Sequence, residues 1–497
     1  MRVWLLAAVA FAGSVCAQAS SDGLRIAAWN ITFYDGGFGD EIANVIYGEY
    51  EGRSMAPDVV ALQEFSGTGA LADFVAALNG APGSPGDWVA SPMLTGRTLN
   101  TALTYRSSKL DFLGRQVIST QSSSGPPRGV QRWDFELNGY DSEGGRLSIY
   151  SVHFKAGSSG SDQNRRRIEA EIIRRDSASL PGQRAFVIAG DLNIQRASQA
   201  AYVELVSEAT PRDLSGDGRF IDPIATPGDW QNNGAFTFVH TQDPATQVDD
   251  RYDQILVSEE LVDRQGLEYV GDAMAPYSTV TWDDPNHSYR AWGNDGRSFD
   301  RSFGATNEMV GPSIAADIVT LCFGGGHMPV FLDLRVPARV AVAESVDLGV
   351  VSPGAGFSLG LAHGGDVGLW GEAGLDSLNY LALPGGAVSM PIAFGELAPG
   401  AATSLVGSAP LSEGPFVGDI TISSNDPDRP AVVVSVTGVV SVCRADVNGD
   451  GSLTPTDLNA WILAFNTGDA AADQNGDGEV TPNDFSAWLL NYNAGCG

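Results

Sequence analysis

Cysteine is scarce in this chain of 497 residues: it occurs four times, at Cys16, Cys322, Cys443 and Cys496. That is too little sulfur for a disulfide framework to be what holds a chain of this length together. Basic residues are scarce as well, 29 against 60 acidic, for a net charge of −31. The deficit is uneven. Residues 21–338 carry 25 basic and 42 acidic side chains, whereas residues 339–497 carry 3 and 18. Such a tail repels polyanions, and the whole argues against a protein that coats DNA passively. It does not exclude a nucleic-acid substrate, because a local basic patch over a site can suffice. Long apolar runs are missing past the N-terminal segment, so no transmembrane segment is expected.

What is present begins with MRVWLLAAVAFAGSVCAQAS: one arginine, an apolar run, then small residues with an Ala17-Gln18-Ala19 cleavage pattern. Residues 1–19 read as a secretory signal whose core is too short to span a bilayer. The mature protein is therefore expected to be secreted, and extracellular or cell-surface associated. Length alone suggests about three domains, and composition shifts twice. From 20 to 338, strand-like runs such as LRIAAWNI, DVVALQEF, LSIYSVHF, AFVIAGDLNI, YDQILVS and MPVFLDL alternate with helical patterns such as 161–176. From 339 to 441, short alternating strands rich in Gly, Val and Ser are split by turns such as NDPDRP, which suggests a β-sandwich. Its ending, SNDPDRPAVVVSVTG, looks like the closing strands of immunoglobulin-like spacer domains.

Residues 442–497 form a third regime built on a repeat. ADVNGDGSLTPTDLNAWILAFN from 445 matches ADQNGDGEVTPNDFSAWLLNYN from 472 at 13 of 22 positions. Each copy places oxygen donors where a 12-residue calcium loop needs them. Asp446, Asn448 and Asp450 take positions 1, 3 and 5, Ser452 offers its carbonyl at 7, and Asp457 closes at 12. The second copy supplies Asp473, Asn475, Asp477, the carbonyl of Glu479, and Asp484. Gly451 and Gly478 fall at the sharp turn. Two Ca²⁺ ions are the expected ligands. Position 12 is Asp rather than the Glu of ordinary EF-hands, and Thr-Pro stands at positions 9 and 10 in both copies. This tandem resembles a dockerin module, which implies a cohesin-bearing scaffold protein as partner. Cys443 and Cys496 bracket the module and, in an exported chain, are expected to pair; such a bridge would add roughly 3–4 kcal/mol on the loop-entropy estimate.

The long first region ends its strands on polar residues: Asn30, Glu64, His153, Asp191 with Asn193, Asp253, and His327 in GGGHMPV. Singly each has an ordinary reading as a cap, turn former or solvated side chain. In order, AAWN, ALQEF, SVHFKAG, AGDLN, YDQIL and GGHMPV resemble the successive signatures of the endonuclease/exonuclease/phosphatase superfamily, the fold of deoxyribonuclease I. The resemblance spans residues 24–335. It implies an α+β four-layer sandwich, two packed β-sheets flanked by helices, and metal-dependent phosphoester cleavage. On that resemblance Glu64 is the Mg²⁺ or Mn²⁺ ligand with Asn30 beside it. Asp191 and Asn193 position the attacking water. His327, oriented by Asp253, acts as base or charge stabiliser, and His153 holds a phosphate oxygen or protonates the leaving group.

One position departs from the pattern. Where the family has an acid before the histidine, this chain has Gly326, which removes a carboxylate from the metal's surroundings. Asp295 or Asp300, in the polar insertion 281–301, are candidates to replace it. Cations for substrate binding are sought in Arg165, Arg166 and Lys155, with Arg128 and Arg132 close in sequence, and stacking aromatics in Trp133, Tyr289 and Trp292. A secreted phosphodiesterase, most directly a nuclease, is the leading expectation. A phospholipid or phosphate-ester hydrolase on the same fold is the alternative, and a catalytically weakened scaffold or adhesion protein is the third reading, because of Gly326.

Overall fold

The computed structural model describes residues 22–95, 99–120, 125–208, 218–304 and 306–495. The expected signal segment and Cys496 lie outside them. Two compact units divide the chain: residues up to Ala338 together with Asp366–Asp376, and Arg339–Gly365 together with Ser377 onward.

Thirteen strands build the first unit: β1 (Leu24–Tyr34), β2 (Val59–Phe65), β3 (Trp88–Ala90), β4 (Asn100–Arg106), β5 (Leu110–Ser119), β6 (Val130–Leu137), β7 (Arg146–His153), β8 (Ala185–Asp191), β9 (Phe220–Ile221), β10 (Asp253–Ser258), β11 (Glu268–Tyr269), β12 (Arg290–Ala291) and β13 (Val330–Arg335). They form two sheets. One runs β11-β13-β1-β2-β4-β3, with β12 also on β13, and the other runs β5-β6-β7-β8-β10-β9. Each has a parallel pair at its centre, β1 with β2 and β7 with β8, flanked by antiparallel neighbours.

Period-two alternation decides which residues meet. Ile26, Ala28, Val59 and Ala61 of the first sheet share one buried core with Trp133, Ile149, Val187 and Ile255 of the second. The opposite faces are covered by helices. Ala27, Trp29, Val60 and Leu62 pack beneath α1 (Gly39–Tyr47), α2 (Thr68–Gly80) and α5 (Gly311–Leu321). Tyr150, Val152, Phe186 and Ile188 pack beneath α3 (Gly160–Ser177) and α4 (Ala200–Val206). Strands buried on both faces read as unbroken apolar runs, which is how these appear in the sequence. The layers are helix, sheet, sheet, helix. α3 begins at a capping box in which the Ser159 hydroxyl accepts from the Asp162 N–H and Asp162 returns the bond; this satisfies two amide donors that a helix start leaves open.

A short excursion completes this core. α6 (Val367–Trp370) places Trp370, almost wholly buried, against the inter-sheet core, with the Lys109 ammonium 5.5 Å from its ring centroid. The Gly23 N–H donates to Trp370 O at 2.6 Å, and Val336 N–H to Gly374 O at 2.8 Å. Nothing in the sequence marked this segment, since its eleven residues sit inside a stretch of strand-and-turn composition. Trp370→Ala is expected to destabilise the first unit by about 3–5 kcal/mol, read as faster hydrogen exchange in β1 of the full chain.

The second unit holds β14 (Val340–Val342), β15 (Ser345–Val351), β16 (Gly356–His363), β17 (Leu378–Gly386), β18 (Ala393–Leu397), β19 (Ala402–Ser408), β20 (Gly414–Ser424) and β21 (Ala431–Val440). They lie in a three-stranded sheet, β14-β16-β19, and a five-stranded sheet, β15-β21-β20-β17-β18. Two helices follow, α7 (Pro455–Thr467) and α8 (Asn483–Ala494), packed on Trp461 and Trp488. Among the described residues no helix is long and apolar enough to cross a membrane.

Candidate active site

The two parallel pairs carry their C-terminal ends to the same edge of the sandwich. Asn30 ends the regular part of β1 opposite Gln63 of β2, His153 ends β7 opposite Asp191 of β8, and Asp191 faces Asp253 across to β10. Beyond Asn30 the pairing slips, and Glu64 stands at φ 66°, a left-handed conformation that a residue with a side chain seldom adopts. Asn193 is held likewise, at φ 50°. Strain of this kind persists where neighbours fix it, and it gathers at functional sites. The His327 N–H donates to Asn30 O at 3.1 Å, which pins the GGGH turn to the end of β1.

The structure brings together all seven residues that the motifs single out. Asp191 is the hub. Its Oδ2 accepts from Asn30 Nδ2 at 3.1 Å and lies 3.4 Å from His153 Nε2 and 3.8 Å from His327 Nδ1. Its Oδ1 accepts from the Asn193 N–H at 2.9 Å. Glu64 Oε1 is 3.6 Å from His153 Nε2, and Glu64 Oε2 accepts from the Phe33 N–H at 3.2 Å. Asp253 Oδ2 stands 2.8 Å from His327 Nδ1 and accepts from the Thr241 hydroxyl at 2.6 Å. The His327–Asp253 contact is a close, buried ion pair.

Burial works against the charged form of His327, but Asp253, Asp191 and Glu64 outweigh it and push its pKa up to about 9. His153 goes the other way. Burial, with Arg128 and His327 as neighbouring cations, holds it well below the usual 6.5. Burial also raises the Asp191 carboxyl, against the pull of His327. At neutral pH the site therefore contains one imidazolium, one neutral imidazole and a carboxyl whose basicity exceeds that of a surface aspartate.

A divalent cation fits the Glu64 side of the cleft by donor chemistry. Glu64 is a hard anionic oxygen donor, and Asn30 Oδ1 is buried with no hydrogen-bond partner, an orphaned acceptor beside it in the motif pair. Neither of the two candidate replacement acids joins them. Asp295 accepts from the Arg297 and Glu308 N–H groups at 3.0 and 2.8 Å, stapling its own loop, and Asp300 is exposed. Gly326 is more than a missing carboxylate: a Cβ added there would overlap Thr32 Oγ1 and approach Cys322 Cα to 2.9 Å. The Thr32 hydroxyl, itself buried without a partner, occupies the space into which a side chain at 326 would grow.

The expected substrate cations are placed differently. Arg166 is fully buried, and its guanidinium donates to Gly157 O at 2.8 Å and to Gln199 Oε1 at 3.1 Å; it anchors the loop after β7 and is withdrawn from any ligand. Arg165 Nε donates to Gly125 O at 2.8 Å, and Lys155 Nζ is 3.3 Å from Asp162. Trp133, Tyr289 and Trp292 are core residues, so none is available to stack on a base. Arg128, just ahead of β6, is half-buried and near enough to the site to act on it electrostatically. Its Nε donates to Leu99 O at 3.1 Å, and its charge is felt by Glu64, Asp191 and the buried Glu169, with no described carboxylate at ion-pairing distance. Its signal in the sequence was proximity to β6 alone.

In the terminal module Asp446, Asp450 and Asp457 converge with ligand atoms within 4.8 Å of one another, the one such set among the described residues. Asp457 also caps α7: Oδ2 accepts from the Thr454 N–H at 2.9 Å, which explains a short acid at position 12. Asp484 repeats this with the Thr481 N–H at 2.8 Å. Gly451 and Gly478, at φ 81° and 83°, make turns that a side chain would strain. In both loops Asn448 and Asn475 accept from the N–H of Asp450 and Asp477, at 2.8 and 2.9 Å. Ser452 and Glu479 follow at position 7, where only their backbone carbonyls are called on. Cys443 is disulfide-bonded.

Residues 444–489 match the family model of the dockerin type I domain. Among solved structures, a humanized D. rerio TDP2 is similar at 15% identity and TM-score 0.37, covering 64% of this chain and 100% of that one. An endonuclease/exonuclease/phosphatase from Beutenbergia cavernae is similar at 14% and TM-score 0.36, covering 84% and 99%. The human Nocturnin catalytic domain, solved with a bound sulfate anion, is similar at 13% and TM-score 0.34, covering 64% and 95%. No curated protein matches the chain.

Proposed function

We propose that the chain is a secreted, divalent-metal-dependent phosphodiesterase, docked to a cohesin-bearing scaffold through its terminal module. The observation that carries this reading is the convergence on Asp191 of Asn30, His153, Asn193 and His327, with Glu64 adjoining His153 and Asp253 pairing His327. A phosphodiester resists attack because it is already anionic, so a site that hydrolyses it must supply positive charge and a proton acceptor together. His327 as imidazolium provides the charge and Asp191 the acceptor for the proton of the attacking water. Asn193 and Asn30 fix the orientation of Asp191, and the neutral His153 donates one hydrogen bond to a phosphoryl oxygen. Arg128 reaches the same oxygens from the β6 side. Glu64 and Asn30 would hold Mg²⁺ or Mn²⁺, which when bound neutralises charge on the phosphoryl group.

The modular reading goes with this: residues 20–338 as the catalytic domain, 339–441 as an immunoglobulin-like spacer, and 442–497 as a calcium-loaded dockerin. Incubating the full chain with plasmid, single-stranded DNA, RNA and sphingomyelin vesicles, in Mg²⁺ or EDTA, tests the activity. Cleavage that EDTA suppresses supports it; no cleavage of any substrate contradicts it.

His327 also sets a pH dependence. Folding raises its pKa from 6.5 to about 9, so its ion pair contributes fully below about pH 6.5 and is lost as pH rises through about 9. Both kcat/KM and the melting temperature of the first unit are expected to fall on that alkaline limb. His327→Gln should remove the limb from the stability profile, which a series of thermal melts across pH would show.

A further inference from the structure

Among the described residues of the first unit, three phenylalanines are exposed: Phe33 at 65%, Phe38 at 51% and Phe323 at 79%. The unit's other described phenylalanines are buried or half-buried. The three are not scattered. Phe33 stands at the end of β1 and Phe38 just ahead of α1, both after Asn30, and Phe323 opens the FGGGH turn that delivers His327. These two segments touch, since a Cβ on Gly324 would lie 3.8 Å from Thr32 Cγ2. Phe33 is held at φ 47° while its N–H donates to Glu64 Oε2 at 3.2 Å. A bulky side chain in the left-handed region is an outlier, and here the same backbone bond that orients the candidate metal ligand turns the ring outward to solvent.

Apolar rings beside a site for charged phosphate gain nothing from the phosphate itself. They suit a planar, apolar-faced group attached to it. We propose that Phe33 and Phe323 stack on nucleobases flanking the scissile phosphate, so that the substrate is a nucleic-acid strand with unpaired bases. This inference rests on the phosphodiesterase reading. Stacking needs a free base face, which a duplex interior does not offer, and it tolerates any sequence. Asp35, Asp40 and Glu41 flank Phe38 in sequence with no basic residue between 34 and 41, so this stretch offers no phosphate contacts and its rings would act through base faces. The same acids oppose docking on an anionic lipid surface.

The test compares kcat/KM of the full chain on a single-stranded oligonucleotide and on the same strand with an abasic residue next to the cleaved bond. Bis(p-nitrophenyl) phosphate and sphingomyelin vesicles run in parallel. Wild type should prefer the intact strand by roughly 5- to 150-fold, the range that one stacked base supplies. Phe33→Ala should reduce that preference to less than about threefold for an abasic residue on its side of the bond, mainly through KM, while Phe33→Tyr should retain it; the Phe33 ring is exposed, so both variants should melt with wild type. Equal cleavage of intact and abasic strands overturns the stacking proposal and leaves the phosphodiesterase standing. Faster turnover of vesicles than of any oligonucleotide also overturns it. Inactivity on every substrate defeats both.

Discussion

Replacing His327 with alanine is expected to lower phosphodiester cleavage by about 10³-fold, the scale on which a preorganised charge at a developing oxyanion acts. The imidazolium is buried between Asp253 and Asp191 and costs no reorganisation as the reaction proceeds. Its removal leaves Asp253 buried beside an empty space, which destabilises the fold as well. The two effects separate in Asp253→Asn, which keeps the volume and the Thr241 bond but removes the charge that raises His327. That variant should fold, lose about ten- to a hundredfold in rate, and move the alkaline limb to lower pH. Rates measured across pH on both variants, with melts as controls, check the assignment. An unshifted limb in Asp253→Asn would mean that the pair does not set the histidine's charge.

The second large effect is at Gly326. Restoring an acid there looks like a repair of the metal site, yet Gly326→Asp is expected to destabilise the first unit by about 1–3 kcal/mol and to weaken activity. The new Cβ would overlap the Thr32 hydroxyl and crowd Cys322. Clearing the hydroxyl first relieves the worst overlap. In Thr32→Gly/Gly326→Asp the new Cβ still lies 2.9 Å from Cys322 Cα, so part of the destabilisation remains, while Mn²⁺ affinity should rise about tenfold or more over wild type from the added charge. Isothermal titration with Mn²⁺ and thermal melts of the single and double variants decide this. A single Gly326→Asp variant as stable as wild type would show that the turn adapts, and that the glycine reflects no steric constraint.

Much of the fold was legible because burial on both sheet faces writes itself as apolar runs, and because β1, β2, β7, β8, β10 and β13 each carry a polar residue at the end or start of such a run. The ordered strand-end motifs, read together through their resemblance, singled out residues that the fold brings together. What the sequence hid was side-chain direction. Arg166 reads as a member of a basic cluster, but it falls on the same helical stripe as Ala170 and Ile173 and is buried with them; the helical period, applied to the arginines rather than to the apolar residues, carried that information. Asp295 offered a plausible replacement acid, but only coordinates show its oxygens spent on the Arg297 and Glu308 amides. Thr32 gave no signal, since its opposition to Gly326 joins positions almost three hundred residues apart. Trp370 is the same case at larger scale, a core residue of one unit supplied from within the sequence of the next.

We propose above all that this chain hydrolyses phosphodiesters at a metal held by Glu64. Initial rates on bis(p-nitrophenyl) phosphate test it most directly, taken for wild type and Glu64→Gln in Mg²⁺, Mn²⁺ and EDTA. The account predicts metal-dependent turnover by wild type, saturating at millimolar rather than micromolar metal, and a loss of about 10²-fold or more in Glu64→Gln. Equal rates for the two proteins, or turnover that EDTA leaves untouched, would contradict it.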